Sequence, residues 1–218
     1  MNSKKTDFFW PSYTDLMTSL FFIMLVLFVL VFTKQSRQIK DLERQLAIVN
    51  AVDEALKPLK SDTTLFSYED EYKRFKLSFP VKFVNKGENI NPQDLVNYTE
   101  TIVNIDMAGN KLKSIITELK KAKDNNPKLK DVSYILVIAG YASKNGDEMF
   151  NYKLSYQRAL NLRNHWRLQG IDFESLEYNN LIDLQISGNG WGGVGRLLND
   201  EENQRFLIQI FPKIGDIK

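Results

Sequence analysis

The most constraining feature of this sequence is an apolar run near its N-terminus. Residues 8–33 carry one formal charge, Asp15. Folded as a helix that rises 1.5 Å per residue, this run is about 39 Å long, whereas the hydrocarbon core of a bilayer is about 30 Å thick. We therefore predict a single transmembrane helix over residues 8–33, preceded by a short tail at residues 1–7. The run is too long for the apolar part of a cleaved signal peptide.

Asp15 is the unusual residue of this run. A lone carboxylate at membrane depth costs about 2.5 kcal/mol or more, and such a residue normally faces a protein interior or an ion path. Thr18 and Ser19 follow it by three and four residues, so a helix places all three on one face. The other interpretation is that Asp15 belongs to the helix start, where Pro11 is the first helical residue and a carboxylate suits the positive end of the helix dipole.

The segment from Trp10 to Leu20, Trp-Pro-Ser-Tyr-Thr-Asp-Leu-Met-Thr-Ser-Leu, resembles the transmembrane segment of MotB-type stator subunits of ion-driven motors. The resemblance implies that Asp15 binds and releases the translocated proton or sodium ion, with no further cofactor. It implies a supporting role in the ion path for Tyr13, Thr18 and Ser19. It also implies a MotA-like multi-span partner, five copies of it around two of this chain.

Basic residues flank the predicted span unevenly. Two precede it and four follow it closely, namely Lys4, Lys5, Lys34, Arg37, Lys40 and Arg44. A count of basic residues alone would keep the C-terminal side in the cytoplasm. The resemblance implies the reverse, a cytoplasmic N-terminus in a bacterial inner membrane and a periplasmic C-terminal domain. We follow the resemblance, because the charge rule is weak for long translocated domains.

The composition argues against several classes of function. The formal net charge is +2, from 29 basic and 27 acidic residues, so no nucleic-acid surface is indicated. The sequence has no cysteine, which excludes disulfides and thiol catalysis. His165 is the only histidine, and no metal-ligand spacing, nucleophile elbow or nucleotide fingerprint occurs. We therefore expect a protein that is not an enzyme.

The segment after the span is predicted to be a helical stalk or plug over residues 34–59, with the helix itself ending before Pro58. An a/d register is formed by Ile39, Leu42, Leu46, Val49 and Leu56, interrupted by Asp53. One interpretation is a short parallel coiled coil that makes a dimer of this chain. Another is an amphipathic helix that lies on the chain's own domain or on the membrane, and the resemblance adds a plug that blocks ion flow. We expect a linker at residues 60–74.

The remaining residues, 75–213, predict one α+β domain. Apolar side chains recur at every second residue from Phe75 to Phe83, which predicts a strand with one buried face. Pro80 within it confines this strand to an edge or a bulge. The order of elements gives a small sandwich in which helices cover one face of a mixed sheet. Strands are predicted over residues 75–83, 132–139, 181–187 and 205–211, and helices over residues 108–123 and 152–169.

Two motifs in this domain resemble the OmpA-like domain that binds peptidoglycan. The segment from Asn151 to Ala159 is close to the family's Asn-x-x-Leu-Ser-x-x-Arg-Ala, and Asn203-Gln204-Arg205-Phe206 is close to its Asn-x-Arg-Val strand. The resemblance implies that Arg158, near Asn151, forks onto the carboxylate of a zwitterionic residue in the stem peptide.

One position departs from the OmpA-like pattern. Where the family reads Gly-His-Thr-Asp, this chain reads Gly140-Tyr141-Ala142-Ser143, so Ser143 replaces the aspartate that takes the ligand's ammonium group. Asp147, later in the same loop, is then the candidate partner for that group. The alternative for Arg158 is a structural ion pair within the domain.

Together the two resemblances imply a B-type stator subunit of an ion-driven rotary motor, whose C-terminal domain anchors it to the cell wall. The same architecture serves flagellar rotation, gliding and the anti-phage defence system Zorya, whose ZorB component joins a MotB-like span to an OmpA-like domain. The competing function is a membrane-tethered, peptidoglycan-binding structural anchor with no motor.

Overall fold

The computed structural model describes residues 9–61, 63–130 and 132–214. The chain divides into two compact units between Leu46 and Ala47. The first unit contains the apolar helical segment, and the second contains the sheet and the other helices. A long N-terminal helix followed by a mixed α/β domain is the predicted fold class, which the structure confirms.

The longest element is helix α1, which runs over Phe9–Ser61. It covers the predicted span apart from Phe8, which lies outside the described residues, and it continues through the predicted stalk. Side chains from Tyr13 to Phe32 are exposed, and the helix contains a stretch long and apolar enough to cross a membrane. Because so many exposed apolar side chains are unfavourable in water, this part of α1 needs lipid or protein around it.

Helix α1 ends later than predicted, since it passes Pro58 and stops at Ser61. Leu56 and Leu59 in its last turns are only 6% and 0% exposed. Burying two leucine side chains stabilises a fold by about 3–6 kcal/mol, whereas an interior proline costs about 3 kcal/mol. Packing of the leucines therefore outweighs the helix-breaking effect of the proline.

The residues of the predicted a/d stripe are not all in the same environment, since Leu56 is buried and the other four are exposed. The side chains of Ile39, Leu42, Leu46 and Val49 are 48–64% exposed. The buried face of the helix instead follows a spacing of four, four and three residues through Ile48, Val52, Leu56 and Leu59. The last turns of α1 thus confirm the interpretation of a helix packed on its own domain. A coiled coil or a plug stays a prediction for the exposed stripe.

The second unit is built on a mixed five-stranded sheet with the order β1-β2-β5-β3-β4. Strands β3 and β4 are parallel, and the other neighbours are antiparallel. Strand β3 pairs along its whole length with β5, and with β4 from Tyr134 to Gly140. The strands are β1 Phe66–Glu69, β2 Arg74–Leu77, β3 Val132–Gly140, β4 Ile182–Gly188 and β5 Phe206–Ile214.

Helices α2, Tyr98–Asn125, and α3, Glu148–Leu168, complete the domain. One continuous apolar cluster joins both helices, the last turns of α1 and alternate residues of β3 and β5. At its centre Trp166 is fully buried, and its indole Nε1 donates a hydrogen bond to the backbone oxygen of Ile105, 2.9 Å away. This bond ties α3 to α2.

Several sequence-based boundaries were wrong, among them the start of α3, which begins at Glu148 and not at residue 152. The expected linker at residues 60–74 contains strand β1 and the start of β2, because Phe66 lies opposite Leu77 and packs edge-on against Phe75. Strand β2 stops at Leu77, short of residue 83, since Pro80 cannot donate to the ladder. Helix α2 begins at Tyr98 and not at residue 108, because Thr101 and Ile105 extend its buried face.

We predict that Leu59→Ala lowers the free energy of unfolding of the domain by about 2–5 kcal/mol, because it leaves a cavity in the core. The matched control Leu46→Ala, at a position 61% exposed, should change it by less than about 0.5 kcal/mol. Urea unfolding of the full chain in non-ionic detergent, followed by near-UV circular dichroism, measures both values. Equal values for the two variants would show that the end of α1 is not part of the core.

Candidate functional site

Two glycines position helix α3 at the carboxyl ends of the parallel strands. Gly140 and Gly188 lie opposite each other in the β3–β4 register. A Cβ atom on Gly140 would lie 2.1 Å from the backbone oxygen of Ser155, and one on Gly188 would lie 2.5 Å from the backbone nitrogen of Tyr156. The backbone of α3 therefore approaches the sheet more closely than any other residue pair would allow, and it brings Asn151 and Arg158 to the strand ends.

The loop between β3 and α3 is held at both of its ends. At its start, the amide of Tyr141 donates a hydrogen bond to the backbone oxygen of Arg205, and the amide of Ala142 donates one to the backbone oxygen of Gly190. At its far end Asp147 is the N-cap of α3, where its Oδ1 accepts a hydrogen bond of 2.8 Å from the amide of Phe150. The loop thus presents Asp147 as an exposed carboxylate in a fixed position.

Asn151, on α3, is buried and hydrogen-bonded to this loop. Its side chain is 2% exposed, and its Nδ2 donates a hydrogen bond of 2.8 Å to the backbone oxygen of Asn145. Asn151 therefore positions the loop, and this hydrogen bond takes part of its capacity to contact a ligand.

The opposite wall of the site is a tight turn around Gly87. The Oδ2 atom of Asp94 accepts hydrogen bonds from the amides of Glu88 and Asn89, at 3.0 and 2.7 Å, and from the Nδ2 of Asn89 at 2.8 Å. These bonds hold the pKa of the Asp94 carboxyl below its ordinary value, the amide of Asn89 being the largest cause. The turn is thus organised around a carboxylate that stays ionised.

Arg158 joins the turn to α3. Its Nε donates a hydrogen bond of 2.9 Å to the oxygen of Gly87, and its guanidinium carbon lies 4.1 Å from the ring centroid of Phe83. The side chain is only 3% exposed, and burial lowers its pKa to about 10 although Glu88 and Asp94 raise it. Within the described residues Arg158 forms no ion pair, so a backbone oxygen and an aromatic ring take the place of the structural ion pair considered above.

These elements enclose a cavity of about 770 Å³. All four residues expected from the OmpA-like resemblance line it, namely Arg158, Asn151, Ser143 and Asp147. Sequence reasoning missed the residues of the opposite wall, Phe83, Lys82 and Lys86, whose only signal was a strand that ends in a turn. Asp147 is the only carboxylate among the described residues that line the cavity. One cavity is thus lined by a buried cation, Arg158, and an exposed anion, Asp147, and these two charges could pair with the two ends of a zwitterion.

The residues predicted on the transmembrane segment lie on α1. Asp15 and Ser19 are exposed in the single chain, and the helix places them and Thr18 on one face. The hydroxyl of Thr18 donates to the backbone oxygens of Thr14 and Asp15, so its hydrogen is used by its own helix. Tyr13 is about 200° around the helix axis from Asp15, at about 100° per residue, and the two do not share a face.

No protein-family model matches this sequence, and no curated protein matches it. Several solved structures do. The periplasmic domain of Helicobacter pylori MotB is 16% identical over 69% of this chain and 90% of that one, with a TM-score of 0.35. A MotB-like protein from Desulfovibrio vulgaris is 13% identical over 77% and 94%, with a TM-score of 0.38. The peptidoglycan-associated lipoprotein of Burkholderia pseudomallei is 14% identical over 49% and 79%, with a TM-score of 0.30. At these values the similarities establish no function for this chain.

We predict that Asp94→Asn lowers the free energy of unfolding by about 1–3 kcal/mol at pH 7, because a neutral amide oxygen accepts these hydrogen bonds more weakly than an ionised carboxylate does. A lowered pKa means that this stabilisation is complete above the ordinary pKa of 3.8 and is lost as the pH falls through the folded value. The difference between wild type and variant should therefore persist on going from about pH 7 to pH 5 and close only below 3.8.

Urea unfolding of both proteins at a series of pH values measures this difference. Asp124→Asn, at an exposed position on α2, is the control and should change the free energy of unfolding by less than about 0.5 kcal/mol. A difference that is already closed at pH 5 would contradict the role given to Asp94.

Proposed function

We propose that this chain is a membrane-tethered protein whose C-terminal domain binds the stem peptide of peptidoglycan. The observation that carries the proposal is the cavity that both Arg158 and Asp147 line. A ligand carboxylate on Arg158 and a ligand ammonium on Asp147 would pair both ends of a zwitterionic residue. This is a binding function, and it needs no catalytic group.

The buried guanidinium supports an anionic ligand on physical grounds. Burial disfavours the charged form of Arg158, and the pKa of this side chain is therefore lower than its ordinary value. Its Nε is used by Gly87, and the Nη groups make no hydrogen bond to the described residues. A carboxylate that docks on these groups would offset part of the desolvation cost. Ser143 can add a hydrogen bond from the loop, and Asp147 keeps its Oδ2 for the ammonium group.

The proposal extends to the membrane. The apolar part of α1 would cross the bacterial inner membrane once, with the N-terminus in the cytoplasm and the domain in the periplasm. This orientation rests on the MotB-like segment from Trp10 to Leu20, and the periplasm is where a wall ligand is present.

We further propose that the chain is a B-type stator subunit. Asp15 would bind and release a proton or sodium ion at the interface with a MotA-like partner, five copies of which surround two of this chain. Loading the carboxylate removes its charge penalty and changes the partner contacts that it prefers, and unloading restores them. The exposed stripe of Ile39, Leu42, Leu46 and Val49 supports self-association of the two copies. Wall binding by the two domains would hold the stator still, because a rotor needs a fixed reference.

A role in anti-phage defence of the Zorya type is the most specific version of this proposal. Its support is the departure at Ser143 from the loop of standard wall-binding stators. The competing function, a structural anchor without a motor, needs the cavity around Arg158 but no ion at Asp15.

We predict that Asp147→Asn weakens binding to purified peptidoglycan sacculi about fivefold, because it removes a charge worth about 1 kcal/mol. Asparagine is an equally good N-cap, so helix α3 is retained. Adding Ser143→Asp, which returns a carboxylate to the loop, should restore binding. Co-sedimentation of the full chain in non-ionic detergent measures the affinity, with Asp124→Asn as the control of equal charge change. Unaltered binding by Asp147→Asn would refute the proposed ammonium contact.

For the helix, we predict that Asp15→Asn abolishes ion flux while the partner subunit still co-purifies, because the amide cannot be loaded and unloaded. The measurement is dye-reported proton or sodium flux in membrane vesicles from cells that produce the chain with its native partners. Asp41→Asn, eight residues beyond the end of the predicted span, should leave the flux unchanged. Equal flux in Asp15→Asn and wild type would favour the structural anchor.

A further inference from the structure

A second group of cationic side chains lies beside the first cavity, and it outnumbers the acidic side chains around it. Glu69 on β1 is the shared carboxylate of this group. Its Oε2 accepts a hydrogen bond of 2.6 Å from the Nε of Arg74, and its Oε1 lies 3.6 Å from the Nζ of Lys76 and 3.7 Å from the Nη1 of Arg205. Three cations therefore share this carboxylate, whose one negative charge offsets only one of their three positive charges.

Arg205 is the member of the group whose guanidinium nitrogens have the fewest hydrogen bonds. Its side chain is 9% exposed. Its Nη2 donates to the backbone oxygen of Gly195, but its Nε and Nη1 are shielded from solvent and make no hydrogen bond within the described residues. Burial lowers its pKa, which Glu69 only partly offsets. A buried guanidinium in this state is costly unless an anion approaches it.

All three guanidinium nitrogens of Arg74, in contrast, make hydrogen bonds. Its Nη1 donates to the hydroxyl of Tyr141 at 3.2 Å and its Nη2 to the backbone oxygen of Val194 at 3.0 Å. Arg196, nearby, pairs with Asp200 at 2.9 Å. The uncompensated charge is thus concentrated at Arg205 and Lys76.

A cavity of about 250 Å³ is open to this charge. Arg205, Lys76 and Lys82 line it. Glu202 is the one acid among its described lining residues, and its Oε1 accepts a hydrogen bond of 3.1 Å from Asn199. Lys82 and Gln204 line this cavity and the larger one as well, so the two cavities adjoin.

We propose that the smaller cavity is a second anion-binding subsite, in which Arg205, Lys76 and Lys82 take a carboxylate or phosphate group of the same wall polymer whose zwitterionic residue lies on Arg158. The proposal rests on the proposed wall-binding function and extends it from one residue to two neighbouring groups of the polymer. The shared chemistry is an oxyanion, which a peptide carboxylate and a phosphate of an attached polymer both provide.

The first experiment tests the subsite without the wall. The full chain, labelled with ¹⁵N in non-ionic detergent, is titrated with sodium phosphate and separately with sodium acetate at constant ionic strength, and the Nε–H resonance of Arg205 is followed. We expect a saturable shift that persists in Arg158→Gln. Lys76→Gln should weaken phosphate binding about two- to fivefold, the effect of losing one exposed charge pair, whereas Lys120→Gln on α2 should not. An Arg205 resonance that stays unmoved, or equal effects of the two lysine variants, would overturn the proposal.

The second experiment identifies the source of the anion. Co-sedimentation of wild type and Lys76→Gln is measured on untreated sacculi and on sacculi stripped of phosphate polymers by hydrofluoric acid. Weaker binding by Lys76→Gln on both preparations supports a peptide carboxylate, and weaker binding on untreated sacculi alone supports a phosphate. No difference on either preparation would overturn the link to the wall. If wild type binds no sacculi although the Arg205 resonance responds to phosphate, the wall-binding function fails and the anion site stands.

Discussion

The close approach of the α3 backbone to the glycine pair Gly140 and Gly188 determines where the candidate site lies. Any side chain at either glycine would overlap the helix backbone. Ser155 strengthens the same contact, because its Oγ accepts a hydrogen bond of 2.8 Å from the amide of Gly190. With the helix held there, Arg158 reaches the turn at Gly87, and the loop from β3 must end at the cap of α3. The walls of the cavity follow from this one approach.

Charge is distributed unevenly around the strand ends. Arg158 and Arg205 are both buried without an ionic partner of their own, the first being held by a backbone oxygen and the second sharing Glu69 with two other cations. Burying a cation without a matched anion destabilises a domain, so such positions are usual where a ligand supplies the anion. The exposed carboxylate of Asp147 gives the site its opposite pole. This arrangement favours zwitterionic and anionic ligands over neutral ones.

Helix α1 contributes to both units of the chain. Its apolar segment carries Asp15, and its last turns supply Ile48, Val52, Leu56 and Leu59 to the core of the domain. The domain is therefore incomplete without the end of this helix.

The sequence by itself determined the elements whose signal is local. The apolar run with its single charge, the buried strand β3 and the helix predicted over residues 152–169 are each visible as composition or period over a few residues. The motif from Asn151 to Ala159 also identified Arg158 as a site residue. Only the tertiary structure decided which face of α1 is buried, that residues 66–69 form an edge strand, and that Lys82 and Phe83 line the site. These outcomes depend on contacts between residues far apart in the chain, and no period within a short window of sequence records such contacts.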